Sequence, residues 1–185
     1  MRACWLREQM AQPLAGPVVR FVGVQVGWFA CVLGAAAGHP LLGPCVVALL
    51  LVAHAATPAR GWRLAWLAAT AALVGTVLDG ILAIAGVLDF PPQAAAGWPA
   101  PIWMVALWVN LAPSLDDLAA LLGPRAAVAA VVGAIGGPLA YLAGARLGAV
   151  ALAPSIPIAL AVVSVEWALA MPMLFRLRPQ LKVML

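Results

Sequence analysis

Charge is the scarcest commodity in this 185-residue chain: only 9% of residues are charged, ten basic against six acidic. An ordinary soluble domain carries about 25% charged residues and about 45–50% apolar ones. This chain is 66% apolar with a mean hydropathy of +1.09. That balance excludes a soluble globular domain, a disordered chain and a nucleic-acid-binding module. Cysteine is also sparse. Cys4, Cys31 and Cys45 fit no metal-ligand spacing, and the latter two stand in apolar stretches, where a free thiol behaves as a small hydrophobe. No disulfide is expected. HExxH, CxxC, GxSxG and phosphate-loop patterns are missing. Ser114, Ser155 and Ser164 have no His–Asp partners nearby. Nucleophilic catalysis and tetrahedral metal chemistry therefore have no support, and neither a metal nor a cofactor is expected.

What the chain has is apolar length. A helix needs about 20 residues to cross a bilayer, and apolar runs occupy 18–38, 40–57, 64–88, 102–122, 126–151 and 157–175. The reading is an all-α, polytopic transmembrane bundle of six spans in a single domain. Residues 1–17 form a short cytoplasmic leader and 176–185 a basic cytoplasmic tail. The start of the chain also has the order of a signal peptide, but no soluble domain follows for it to export. With both termini inside, nine of the ten basic residues fall on the cytoplasmic side and only Arg146 outside. Retention of positive loops on that side favours this orientation. LLGP recurs at 41–44 and 121–124, which raises a three-plus-three inverted repeat as an alternative organisation.

Ionisable groups in hydrocarbon cost about 2.5–3.5 kcal/mol each at mid-span, so each needs a partner, a cavity or a function. Asp79 and Arg146 come late in the third and fifth runs, both directed outward, and are expected to pair. His39, at the turn between runs one and two, completes an outer polar cluster. Gln25, His54, Asp116 and Asp117 form an inner set, the aspartates near the headgroups at the end of the fourth run. Pro113 should break that run, because proline removes a backbone donor. Asn110 and Glu166 lie near the midplane; a protonated Glu166 hydrogen-bonded to Asn110 is the structural reading, and a proton relay the functional one. Of the eight tryptophans, Trp62, Trp66, Trp98 and Trp103 fall near the interfaces. Trp28, Trp108 and Trp167 lie deeper, as packing residues or as the lining of a groove. The glycines of 133–148 recur at a spacing that lets helices approach closely.

The stretches FVGVQVGWFACVLGAAAGHPLLGP, PIWMVALW and GAIGGPLAYLAGARLGA resemble a family of small bacterial inner-membrane proteins known as domain-of-unknown-function family 2878. The resemblance spans roughly runs one to five. It implies a fold and a bacterial inner-membrane location, with no assigned reaction, and mildly a lipid-linked role. The family pattern carries an Asn-His pair where this chain has Asp116-Asp117. The expected function is transport or binding of a small or lipid-like ligand in an intramembrane polar cavity. The alternatives are a membrane-embedded enzyme or accessory subunit acting on lipid, and a structural or assembly partner without a ligand site. Expected partners are membrane lipids and either a second copy of the chain or another membrane protein, with no nucleic acid.

Overall fold

A computed structural model describes residues 15–55 and 58–178. The leader up to residue 14, with Cys4, and the tail from residue 179 lie outside the described residues, as does the side chain of Arg60. The described chain is helical: α1 (Ala15–Ala36), α2 (Leu42–His54), α3 (Pro58–Ile84), α4 (Ile102–Asn110), a 3-10 turn (Ala112–Ser114), α5 (Leu115–Leu122), α6 (Ala126–Arg146) and α7 (Ile156–Leu177). Two short strands, β1 (Leu88–Asp89) and β2 (Ala151–Leu152), complete it.

Five helical segments are long and apolar enough to cross a membrane; α4, the 3-10 turn and α5 count as one of them. The second apolar run differs from expectation. Its helix, α2, has only 13 residues, about 20 Å at 1.5 Å per residue, against a hydrocarbon core of about 30 Å. Pro58 opens α3, and proline disfavours helix in the residue before it, so α2 has to stop short of it. The outer surfaces of the helices carry bare aliphatic side chains, such as Leu49, Val52, Leu73 and Leu121, all more than two-thirds exposed. In water that surface would be untenable; in lipid it is the expected contact.

Pro113 acts as the sequence predicts. The helix ends at Asn110, tightens into a 3-10 turn containing the proline and restarts as α5. Of this broken span, α4 is the centre of the bundle: Trp103, Met104, Ala106, Trp108 and Asn110 are all buried. It packs against α1, α2 and α3. The hairpin of α6 and α7 is the tightest helix pair, because a Cβ on Gly133 would stand 2.3 Å from the carbonyl oxygen of Trp167. Glycine there lets one backbone lie against the other. No such intimacy links α2 and α3, the counterparts of α6 and α7 in an inverted repeat, and α2 is far shorter than α6. The repeat is not reproduced in the packing.

One end of the bundle is tied by β1 and β2, antiparallel with Leu88 opposite Leu152. The connection from β1 to α4 folds back over that end, where Trp103 Nε1 donates to the Ala94 carbonyl at 2.8 Å. Trp103 is thus buried within the bundle, whereas Trp62 and Trp98 are exposed. The opposite end is ionic. Arg20 grips Asp117 through two bonds of 2.5 and 2.8 Å. Asp116 takes two from Arg63, at 2.8 and 2.6 Å, and a third from Arg178 at 3.0 Å. The starts of α1 and α3, the helix α5 and the end of α7 therefore meet at one face.

Pro138 sits inside α6 without ending it. Proline has no N–H, so the carbonyl four residues back, on Ala134, loses its helical donor. Ser164 Oγ on α7 donates to that same carbonyl at 3.0 Å. Ser164→Ala should therefore destabilise the protein by about 1–3 kcal/mol, the cost of an orphaned buried acceptor. In a Pro138→Ala background the N–H returns, and the serine change should cost much less. Thermal unfolding in detergent of both single variants and the double variant checks this; additive losses would contradict it.

Candidate functional site

The site is built on two stacked indoles. Trp108 of α4 and Trp167 of α7 lie with ring centroids 4.5 Å apart and planes 17° from parallel. Each is backed by a glycine. A Cβ on Gly75 of α3 would fall 2.0 Å from Trp108 Cγ, and one on Gly137 of α6 would fall 2.2 Å from Trp167 Cγ. Glycine, indole, indole, glycine thus form one column through four helices, with no room for another carbon at either end.

One turn beyond each glycine stands a polar residue. Asp79 follows Gly75 by four positions on α3, and Tyr141 follows Gly137 by four on α6, so each shares its glycine's face. Asp79 is wholly buried. It accepts the Trp108 Nε1–H at 2.6 Å and a short hydrogen bond from the Tyr141 hydroxyl. Glu166, also buried, faces Asp79 from α7. Neither of its carboxyl oxygens has a donor, and the buried Trp167 Nε1–H has no bonded acceptor.

Beside this column lies a cavity of about 410 Å³. Its wall includes Trp28 of α1, Trp103 and Trp108 of α4, Tyr141 of α6 and Trp167 of α7, with Gln25 and Asn110 as the polar contribution. It occupies the gap between α1 and α6, which do not pack on each other as a pair. Phe29 and Val132, one from each of those helices, line it and are exposed, so it opens sideways between the two helices. The cavity is aromatic and apolar with a few polar groups, rather than the polar cavity expected.

The predicted polar groups are redistributed. Asp79 does not meet Arg146; its partners are an indole and a phenol, which satisfy a carboxylate without a second charge. Arg146 and His39 are exposed near helix ends, and Arg146 has no ion pair among the described residues. The outer cluster is therefore not assembled. The inner aspartates are assembled, but with arginines. His54 turns Nδ1 to its own helix, 2.6 Å from the Leu50 carbonyl oxygen, and Gln25 belongs to the cavity wall. Asn110 does not meet Glu166. Its Nδ2 donates to the Val24 carbonyl at 2.7 Å, and Gly27 makes room for it on α1. Tyr141, missed in the sequence as a partner of Asp79, could have been found from its spacing to Gly137, had the stack been known.

Fold and site together define a multi-pass helical membrane protein with a laterally open aromatic cavity. Residues 17–173 match the family described as "Protein of unknown function (DUF2878)", and the chain belongs to that family. No curated protein and no solved structure matches it.

Because Gly75 and Gly137 back the indoles while neighbouring Gly136 faces open space, three similar substitutions should behave differently. Gly75→Ala and Gly137→Ala should each cost about 1–3 kcal/mol through overpacking and abolish the circular-dichroism exciton couplet of the stacked tryptophans. Gly136→Ala should keep the couplet and gain about 0.5–1 kcal/mol of helix stability. Identical behaviour of Gly136→Ala and Gly137→Ala would contradict the stack.

Proposed function

We propose that the protein binds a lipid-like ligand, dissolved in the membrane, within the tryptophan-lined cavity. The observation that carries this reading is the cavity's sideways opening between α1 and α6, toward hydrocarbon. A water-soluble ligand has no reason to enter from there, whereas an apolar one reaches the opening by diffusing in the bilayer. Aromatic walls with few polar groups are the usual lining of such sites, the polar groups setting orientation. Asn110 and Gln25 would orient an oxygen-bearing headgroup, and Trp28 and Trp108 would flank the apolar body. Purified protein should carry a stoichiometric apolar lipid, detected by mass spectrometry of the extracted complex. Gly136 lines the cavity and a side chain there meets nothing. Gly136→Leu should fill the space and lower retention at least about tenfold, a loss of about 1.4 kcal/mol or more, with the fold intact. Equal retention by the two proteins would refute the site.

We further propose that the chain lies in the bacterial cytoplasmic membrane with the arginine-rich end cytoplasmic. The concentration of Arg20, Arg63 and Arg178 at one end supports this, since basic residues are retained on that side. Cysteines introduced as Ala95→Cys and Arg125→Cys should be labelled by an impermeant thiol reagent from opposite faces of the membrane. Labelling from the same face would overturn the orientation.

A further inference from the structure

Behind the aromatic wall lies a group that lipid binding does not use. Asp79 and Glu166 face one another between α3 and α7, and both are more than nine-tenths buried. From α4 Asp79 receives the Trp108 N–H, and from α6 the Tyr141 hydroxyl. From α7 it faces Glu166. No Arg, Lys or His among the described residues pairs with either carboxyl. The Trp108 and Tyr141 donors both bond Asp79, the Trp167 N–H of α7 bonds neither carboxyl, and Glu166 is left with two buried, unbonded oxygens.

Two adjacent carboxylates cannot hydrogen-bond, because both only accept. Their repulsion in hydrocarbon, with no cation, would not be tolerated. A single proton resolves both difficulties. Carried on a Glu166 oxygen, it removes one charge and supplies the O–H that Asp79 can accept. The remaining charge rests on Asp79, where the indole and the phenol already point at it. We propose that Asp79 and Glu166 form one buried proton-binding site that holds a single exchangeable proton between them. The site is independent of whether the cavity holds a lipid. Trp108 and Tyr141 belong to both, however, so a ligand that displaces either ring withdraws a donor from Asp79 and alters how tightly the proton is held.

Infrared spectroscopy of the purified protein in lipid vesicles tests this directly. Only six acidic residues exist; besides the pair, Asp116 and Asp117 are ion-paired, Asp89 is exposed and Glu8 lies outside the described residues, so the background is small. At neutral pH the wild-type protein should show one protonated-carboxyl C=O band that shifts on transfer to D2O. Glu166→Gln should lose the band, its amide donating to Asp79 in the proton's place. Asp79→Asn should retain the band at a shifted position, because Glu166 keeps its proton. Absence of the band in the wild type would overturn the proposal. So would its survival in Glu166→Gln, or its appearance only when sodium and potassium are withdrawn, which would mean that a metal cation occupies the pair. The wild-type spectrum decides the matter even where a variant fails to fold.

Discussion

Gly75, Trp108, Trp167 and Gly137 form a column that fixes where four helices stand, and most other features of the bundle follow from it. In lipid there is no hydrophobic drive to bring helices together, so close contact must come from shape and from polar bonds. Two indoles supply a large flat area, and two glycines supply flat backbone for them to lie on. Once the rings are set, the geometry of a helix turn brings Asp79 and Tyr141 to the same level, one turn past each glycine. The hydrogen bonds of Asp79 then tie α3 to α4 and α6 across the same section. Apolar stacking and buried polar bonding reinforce each other because both use the same tryptophan.

The same column explains why a cavity exists at all. Trp108 lies against Gly75 of α3 and Trp167 against Gly137 of α6. Helix α4 also packs on α1, where Gly27 makes room for Asn110. With α1 fixed there and α6 fixed by Trp167, the gap between them has no helix to fill it. Trp28 and Phe29 pack edge to face with centroids 5.0 Å apart and line the gap without closing it. Proline contributes similarly. Pro113 lets the fourth span break just past Asn110, and Pro138 frees a carbonyl that Ser164 takes up. Each irregularity of backbone is answered by a neighbouring polar group, as hydrocarbon demands.

How far the sequence reveals this structure depends on the range of the interaction. Apolar length is a local property, so the helices could be read off, apart from α2, which is shorter than its apolar run. Pro113 and the small-residue face of α6 are local too, and both behave as read. Pairings between helices are not local. Opposite charges at similar depth point to a pair between Asp79 and Arg146. The protein instead uses Trp108 and Tyr141, whose donors are invisible to a charge count. Asp116 and Asp117 show the converse: their arginine partners come from three distant segments, and only the meeting of those segments at one end reveals them. Asn110 and Glu166 share a depth but face different helices, which depth alone cannot tell.

The two ends of the bundle handle charge in opposite ways, and the contrast explains the odd position of Glu166. At the ionic end, three arginines and two aspartates are partly exposed, so water and headgroups share the work and the individual pairs need contribute little. In the interior, every acceptor needs its own donor; Asp79 takes those of Trp108 and Tyr141, and Glu166 is left with none. A structural design would have no second acid there: an alanine or leucine at 166 would pack against the same helices with no polar atom to satisfy. Burial of an acid beside another acid sets a local cost that helix packing does not require. That cost falls where three helices share a hydrogen-bond node beside the wall of a cavity, which is where the proposed proton-binding site needs its second acid.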